Sequence, residues 1–280
     1  MREGTPRVRI LGIGDNVVDQ YLDLGLMFPG GNALNVPVLA RRYGAEAAYI
    51  GVLGNDRAGQ HILASLRAED VDVSRVQCVA RPNRYARVTL VEGDRVFLPG
   101  GNKDVTGLLT LSATDYHFMR NFDVVHSSVH SLIEDDLPTI RKHSRHVSFD
   151  FSRVFDGPIL DRILPHVDFA FFSGAGMSLA EIQEAQREIA HKGPRFVLVT
   201  RGPEGTVLYL DGAYVEQPPV PATIVDTLGA GDAFIARFLV GFLEGEEVSV
   251  AMRSAAEAAA VTCGKYGAFG YGIPLELHPA

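Results

Sequence analysis

The chain has 280 residues, of which 46% are hydrophobic and 21% are charged, and its net charge is −8. This excess of acids argues against a nucleic-acid backbone or an anionic membrane as the main partner. The two cysteines, Cys78 and Cys263, do not form a disulfide framework or a metal-type spacing. We find neither a signal peptide nor a run of roughly 18 apolar residues, so we expect a soluble, cytoplasmic protein.

Short apolar runs alternate with helix-like stretches along most of the chain. The runs are rich in Val, Ile and Phe, which is typical of strands buried on both faces. They are residues 8–13, 47–52, 123–126, 146–151, 167–172 and 196–200. The helix-like stretches are residues 32–43, 59–69, 112–120, 137–142 and 178–191. This alternation predicts an α/β fold with a mostly parallel sheet and helices on both of its faces.

Two stretches depart from this alternation. Residues 85–97 have the period-two pattern of a hairpin, with a turn at Glu92-Gly93-Asp94. Residues 15–28 are also strand-like but contain three acids. We therefore expect a single domain, residues 1–280, with a small β lid formed by about residues 15–30 and 84–104. The exposed edges of such a lid favour a homodimer formed through it.

Near the C-terminus, a hairpin at 206–210 and 213–217 leads to a glycine-rich turn and two helices at about 229–244 and 248–266. The turn reads Asp226-Thr227-Leu228-Gly229-Ala230-Gly231-Asp232. Asp226 or Thr227 is a suitable N-cap, and the two glycines leave the first helical amides accessible. Because the helix dipole also attracts anions, the turn predicts a phosphate site.

Asp232 would lie beside a phosphate bound at this turn. An acid repels phosphate, so its presence there needs a reason, and accepting the proton of an attacking hydroxyl supplies one. The alternative is that Asp226 and Asp232 only cap a helix. The combination of a cap, two glycines and an inner acid favours the catalytic interpretation.

The turn resembles the C-terminal signature of the ribokinase/PfkB carbohydrate kinases. Gly30-Gly31-Asn32-Ala33-Leu34-Asn35 resembles their N-terminal signature, about 200 residues earlier, and the resemblance extends over nearly the whole chain. Within the family, residues 14–19 and 28–33 are most similar to fructoselysine 6-kinases. The resemblance implies a Rossmann-like domain with a β-sheet lid, ATP and Mg²⁺, and phosphorylation of a primary sugar hydroxyl. It leaves a monovalent-ion requirement open.

The resemblance also implies roles for individual residues. Asp232 would be the catalytic base, and the backbone of Gly229, Ala230 and Gly231 would form the anion hole. The implied sugar-binding or nearby polar residues are Asp15, Asn16, Asp19, Gly30, Gly31, Asn32 and Asn35. The implied nucleotide-binding residues are Thr200, Gly202, Gly205, Asp226, Thr227, Gly229, Gly231, Gly267 and Ala268.

Sugar binding requires polar groups that satisfy each hydroxyl as it leaves water. Any one of Asp19, Asn32 and Asn35 would ordinarily be a cap or turn residue, but their clustering around the paired glycines favours binding. Arg87 and Asn102, on the predicted lid, would reach the distal part of the substrate. A charged amino-acid tail, as in fructoselysine, would need such partners. A solvated lid face explains Arg87 equally well.

One departure from the family concerns Mg²⁺. Where the family commonly has Asn-x-x-Glu, this chain has Ser173-Gly174-Ala175-Gly176. The ion would then rely on phosphates, water and Asp150, which ends the preceding strand. The departure keeps open a non-catalytic sugar or nucleotide sensor. A kinase for fructose, a nucleoside or a sugar phosphate is the other alternative.

His126 and His130 have the spacing of a helical zinc site, but the run at 123–126, which includes His126, predicts a strand rather than a helix. On a strand they would lie about 13 Å apart, too far to share a metal. We therefore expect histidines of the core or its rim.

Overall fold

The computed structural model describes residues 7–91, 94–102 and 108–275. Within them the chain forms two sheets. The strands are β1 Arg9–Gly14, β2 Val17–Tyr21, β3 Leu26–Gly30, β4 Glu46–Gly54, β5 Gln77–Val79, β6 Tyr85–Val91, β7 Asp94–Leu98, β8 Val124–Ser128, β9 Val147–Asp150, β10 Phe169–Ser173, β11 Phe196–Thr200, β12 Thr206–Leu210, β13 Ala213–Gln217 and β14 Ile273–Pro274.

The main sheet has nine strands in the order β13-β12-β11-β10-β9-β8-β1-β4-β5. Its pairs from β11 to β5 are parallel, while β12 and β13 add an antiparallel edge. The parallel strands read as continuous apolar runs because helices cover both of their faces. This arrangement confirms the predicted α/β fold and places the carboxyl ends of β1, β8 and β9 side by side.

Two layers of helices cover the main sheet. The helices are α1 Asn32–Arg42, α2 Arg57–Ala68, α3 Ala113–Met119, α4 Leu137–His143, α5 Pro158–Ile163, α6 Leu179–Ala190, α7 Ala230–Leu243 and α8 Val248–Cys263. Buried side chains of α1, α2, α7 and α8 belong to one hydrophobic core, and those of α3, α4, α5 and α6 belong to the other. Each core lies on one face of the sheet, and α1 packs against α7 in the first of them.

The smaller sheet has the strand order β14-β3-β2-β6-β7. It contains the hairpins predicted for the lid, with β2 antiparallel to β3 and parallel to β6. Tyr21, Phe28 and Val88 from this sheet form a small core with Leu228 of the glycine-rich turn. The sheet therefore packs directly on that turn. The predicted hairpin turn at 92–93 and the part of the predicted lid beyond Asn102 lie outside the described residues.

Several boundaries differ from the predicted ones. The last helix ends at Cys263 rather than at 266, with Gly264 at its C-cap. The second helix begins at Arg57 rather than at 59, because Asp56 caps it by accepting the Gly59 amide. The short elements α5, β5 and β14 were not predicted, since each is too brief to show a period. In the part of the chain that the structure describes, no helix is long and apolar enough to cross a membrane.

Candidate active site

The glycine-rich turn ends in a left-handed residue. Gly229 is the N-cap of α7 with φ 78°, so the prediction that Asp226 or Thr227 caps this helix is wrong. A Cβ built on Gly229 would lie 2.4 Å from the Cβ of Ala268, whereas one built on Gly231 would meet nothing within 4 Å. The turn is therefore packed against Gly267-Ala268 on one side and open on the other. Glycine at the cap brings no side chain to the first amides, which suits an anion.

The side chain of Asp226 holds this turn in place through hydrogen bonds. Its side chain is fully buried. One oxygen accepts the Leu228 amide at 2.9 Å, and the other accepts the Gly267 amide at 2.9 Å and the Tyr21 hydroxyl. The carboxylate thus ties the turn to residue 267 and to strand β2. This differs from the predicted contact between Asp226 and the nucleotide, because its oxygens already have protein donors.

Asp232 lies in the first turn of α7 and faces α1. Its Oδ1 accepts the Asn32 amide at 2.6 Å, and its Oδ2 accepts the Asn35 amide at 2.6 Å. The residue is partly exposed. The Oδ1 of Asn35 is buried and has no hydrogen-bond partner among the described residues. A hydroxyl arriving beside Asp232 would therefore find one carboxylate and one unsatisfied acceptor.

Asn32 joins Asp232 to the ends of two central strands. Its Nδ2 also donates to Asp150 Oδ2 at 2.8 Å, and its Oδ1 lies 2.9 Å from His126 Nε2. His126 Nδ1 lies 2.9 Å from the hydroxyl of Ser148. The pKa of Asp150 is raised to about 7, mainly by burial and to a lesser extent by the charges of Asp232 and Asp15, while the hydrogen bond from the Ser152 amide lowers it. Burial lowers the pKa of His126 to about 3, so its ring is neutral.

Asp15 holds the start of α1. It is buried, and its oxygens accept hydrogen bonds from two amides and two hydroxyls. These donors are Asn32 N, Ala33 N, Ser128 Oγ and Ser131 Oγ. The N-cap residue Gly31 has no side chain that could accept from the first helical amides, so Asp15, which directly follows β1, accepts from them instead. This satisfied carboxylate supports a positioning role rather than the predicted contact with substrate.

Asn16 is similarly occupied. Its Nδ2 donates to the Tyr49 hydroxyl at 3.1 Å and to the Val52 carbonyl at 2.8 Å. Its Oδ1 accepts the Asn83 amide at 3.1 Å. All of these groups are buried, and their bonds fasten β4 and Asn83 to the loop that follows β1, while the contact of Asn16 with substrate stays a prediction.

Asp19, Gly30 and Gly31 lie where β2 and β3 meet α1. Asp19 is buried, and a Cβ built on Gly30 would come within 2.5 Å of its Oδ2. Gly31 has φ 113° and lies close to the backbone of Asn16. The backbone therefore requires glycine at position 31, and a side chain at position 30 would displace the Asp19 carboxylate. The structure brings all three residues to the start of α1, near Asn32 and Asn35.

The two predicted lid residues differ in their surroundings. Arg87 is exposed on β6, and its guanidinium lies over Gly100. Asn102 accepts the Tyr85 amide at 2.9 Å and donates to the Asn83 carbonyl at 3.3 Å. Asn102 therefore closes the base of the hairpin, which differs from its predicted contact with substrate, whereas Arg87 is accessible to one.

Of the remaining predicted nucleotide residues, Thr200, Gly202 and Gly205 lie at or just after the end of β11, and the others lie at the glycine-rich turn. Thr200 donates to the Phe172 carbonyl at 3.3 Å. Gly202 and Gly205 have φ 56° and 90° and flank a short 3-10 turn. Thr227 is partly buried in the glycine-rich turn. Gly267 and Ala268 lie against that turn, as described above.

His126, Ser148 and Tyr21 were not predicted as site residues. His126 and Ser148 are polar residues within the apolar strands β8 and β9, and they are paired in register. A polar residue inside a buried strand is the signal that could have drawn attention to them. His126 is buried within β8, whereas His130 lies after the end of that strand and is exposed.

Comparisons of this chain with a family model, with known proteins and with solved structures agree with one another. The model of the pfkB family of carbohydrate kinases matches residues 24–271. Fructosamine kinase FrlD of Bacillus subtilis is 44% identical over 273 residues, which are 96% of both chains. Fructoselysine 6-kinase of Escherichia coli is 35% identical over 92% of this chain and 98% of the relative. Ribokinase of Arabidopsis thaliana, solved with ribose and ATP, superposes with a TM-score of 0.80 at 22% identity over 95% of both chains.

The chain belongs to the pfkB family of carbohydrate kinases. It is a phosphotransferase that acts on a sugar hydroxyl, and its fold is that of the ribokinases.

Proposed function

We propose that this kinase transfers the γ-phosphate of ATP to the primary 6-hydroxyl of an Amadori ketose such as fructoselysine. The observation that carries the proposal is the 44% identity, over 96% of both chains, to a relative named fructosamine kinase. The 35% identity to a fructoselysine 6-kinase supports the same class of acceptor. ATP is a cytoplasmic donor, so we also propose the cytoplasm as the compartment.

The phosphate chain of ATP fits the start of α7. Gly229 presents the first helical amides without a side chain, and the open side of Gly231 admits an anion. These amides and the helix dipole would stabilise the negative charge on the transferred group. Gly267 and Ala268, behind the turn, would accommodate the nucleoside, together with Thr200, Gly202 and Gly205.

Asp232 is the proposed base. The acceptor hydroxyl would lie between its carboxylate and the phosphate held by the turn. Because the transition state of phosphoryl transfer is loose, the base orients the hydroxyl and takes its proton late, which a carboxylate can do. The proton passes to Asp232 as the new O–P bond forms and the bond to the leaving ADP breaks. Asn35, with its buried Oδ1, and Asp19 would bind other sugar hydroxyls.

Mg²⁺ would be held mainly by the phosphates. Among the described residues no group of three or more His, Cys, Asp or Glu side chains could hold a metal ion. Mg²⁺ commonly uses one or two carboxylates together with substrate phosphates and water, and Asp150 at the end of β9 is a suitable single carboxylate. When bound, the ion would neutralise charge that develops on the phosphates.

The test is a panel of acceptors with ADP release and product mass as readouts. The panel contains fructoselysine, a second fructosamine, fructose, ribose, a nucleoside and a sugar phosphate. We expect the highest kcat/KM with the fructosamines and a product heavier by one phosphoryl group. Asp232→Asn should lower kcat by about a thousandfold while ATP still binds. Higher kcat/KM with fructose would refute the proposed substrate, and an active Asp232→Asn would refute the base.

Arg87 is a candidate contact for the amino-acid tail of a fructosamine. It is exposed on the smaller sheet, and a guanidinium binds a carboxylate well. Arg87→Gln should raise KM for fructoselysine severalfold without raising KM for fructose. An equal change for both sugars would assign Arg87 to the solvated surface instead.

We also propose a homodimer through the smaller sheet. Its edge strand β7 exposes Val96 and Phe97, with 56% of Phe97 accessible, and Leu22 is exposed at the end of β2. Such an edge favours pairing with a second copy. Light scattering should give twice the monomer mass, and Phe97→Glu should reduce it to the monomer mass. A monomeric native protein would refute the proposal.

A further inference from the structure

Asn32 bridges two carboxylates. Its Nδ2 donates to Asp232 Oδ1 at 2.6 Å and to Asp150 Oδ2 at 2.8 Å. As the base, the Asp232 carboxylate is ionised and only accepts hydrogen bonds, so the amide nitrogen of Asn32 faces Asp232 and Asp150 and its oxygen points away. Both N–H groups of this amide are then used by the protein. This is a different use from the sugar contact expected from the sequence.

The oxygen of Asn32 is held by a buried histidine. His126 Nε2 is 2.9 Å from it, and because that oxygen can only accept, Nε2 carries the ring proton. His126 Nδ1 therefore accepts from the hydroxyl of Ser148, 2.9 Å away. His126 and Ser148 are completely buried and face each other across β8 and β9. The donors thus run in one direction, from Ser148 through His126 and Asn32 to Asp232.

The carboxylate of Asp232 needs this support because it stands in the first turn of a helix and is partly exposed. Asn35 holds Oδ2 and Asn32 holds Oδ1, so the plane of the carboxylate is set by α1 rather than by α7 itself. Without a bond to its oxygen, the Asn32 side chain could rotate, and Asp232 Oδ1 would lose the hydrogen bond that Asn32 donates. Small misplacements of a reacting group lower the rate strongly.

We propose that Ser148, His126 and Asn32 are positioning residues that aim the Asp232 carboxylate at the acceptor hydroxyl. The inference rests on the proposed function, since it takes Asp232 as the base. It predicts that the buried strand pair influences turnover without touching either substrate. The loss should therefore appear in kcat rather than in KM.

The first test compares His126→Asn with His126→Gln. Glutamine can place its amide nitrogen where Nε2 lies and donate to Asn32, whereas asparagine is one methylene shorter and does not reach it. With fructoselysine and ATP, His126→Asn should lower kcat by about tenfold or more, with both KM values changed less than about threefold. His126→Gln should restore kcat to within about threefold of the native value.

The second test compares two neighbouring serines, and it tests the inference even if His126→Asn does not fold. Ser148 donates to His126, whereas Ser127, also buried, donates to the Ile13 carbonyl at 2.7 Å. Each alanine variant loses one buried hydroxyl, but only Ser148→Ala interrupts the chain of donors. Ser148→Ala should lower kcat by about threefold or more. Ser127→Ala should lower only the resistance to urea.

Three results would overturn the inference alone. They are a native kcat in folded His126→Asn, an equal change of kcat in the two serine variants, and an increase in the KM for the sugar at unchanged kcat. The last result would show that Asn32 binds the sugar. If fructoselysine is not phosphorylated, the panel sugar with the highest kcat/KM serves as the probe. No turnover with any panel sugar, or an active Asp232→Asn, overturns the proposed function and this inference with it.

Discussion

Replacement of Gly229 by alanine tests the packing of the glycine-rich turn. Gly229 has φ 78°, a left-handed conformation that an alanine adopts at a cost of roughly 1–2 kcal/mol. The new methyl group would also lie 2.4 Å from Ala268 Cβ and 2.5 Å from Ala268 Cα. The second of these atoms belongs to the backbone, so the turn or residue 268 must move. We therefore expect a loss of both stability and activity.

The expected loss of stability has two contributions, the left-handed strain and the overpacking against Ala268. Overpacking of a filled site costs typically about 1–3 kcal/mol, so together with the left-handed strain Gly229→Ala should lower the free energy of unfolding by about 2–5 kcal/mol. For a chain of this length, that corresponds to a melting temperature lower by about 5 °C. Displacing the turn also moves the amides away from the phosphate, so kcat/KM for ATP should fall by about a hundredfold.

Gly231→Ala is the matched control. Gly231 is the second residue of α7, and a Cβ there would meet nothing within 4 Å. Alanine is the better helix former by up to about 1 kcal/mol, so this variant should be at least as stable as the native protein. Its methyl group would nevertheless project to the open side of the turn. We expect kcat/KM for ATP to fall while the melting temperature holds or rises.

Thermal unfolding and steady-state kinetics, measured on both variants, separate the two effects. Stability should distinguish the variants, and activity should be lost in both. If Gly229→Ala keeps the native melting temperature, the close packing against Ala268 is not required. If Gly231→Ala keeps native kinetics for ATP, the phosphate does not approach this turn, and the assignment of the anion site is wrong.

Two further predictions concern buried polar groups. The pKa of His126 is about 3 in the folded protein and about 6.5 in the unfolded chain. Between these two pH values the unfolded chain binds a proton that the folded protein does not. The free energy of unfolding is therefore highest above pH 6.5 and decreases as the pH falls towards 3. Urea unfolding should show about 2 kcal/mol lost from this group between pH 7 and pH 5, and His126→Gln should lack that loss. Tyr21→Phe removes a donor to the buried Asp226, so urea unfolding should show a loss of about 1–3 kcal/mol. An unchanged urea midpoint in that variant would contradict the role of Tyr21.

Most of the fold could be predicted because buried parallel strands have a distinctive composition. The runs at 167–172 and 196–200 correspond to Phe169–Ser173 and Phe196–Thr200, within two residues. The order of the strands could not be predicted, since the crossovers that make β8 a neighbour of β1 leave no local pattern. Strand β5, Gln77–Val79, has three residues and no period to detect.

The candidate site was predicted only in part, for a similar reason. The turn, Asp232 and the paired glycines are local motifs, and local motifs can be read from the chain. The partners of a side chain are not local, however. Asn102 looked like a substrate contact but bonds to the backbone at Tyr85 and Asn83, and His126 gave no signal except a polar residue in an apolar strand.

The carboxylates of three aspartates near the candidate site differ in their surroundings. Asp15 is surrounded by two amides and two hydroxyls, and Asp226 by two amides and a phenol. These donors stabilise both charges within the protein, where they hold α1 and the turn in place. Asp232 accepts hydrogen bonds from the neutral amides of Asn32 and Asn35, and unlike the other two it is partly exposed. Because Asp15 and Asp226 are buried, Asp232 is the one of the three aspartates whose carboxylate an incoming hydroxyl can reach.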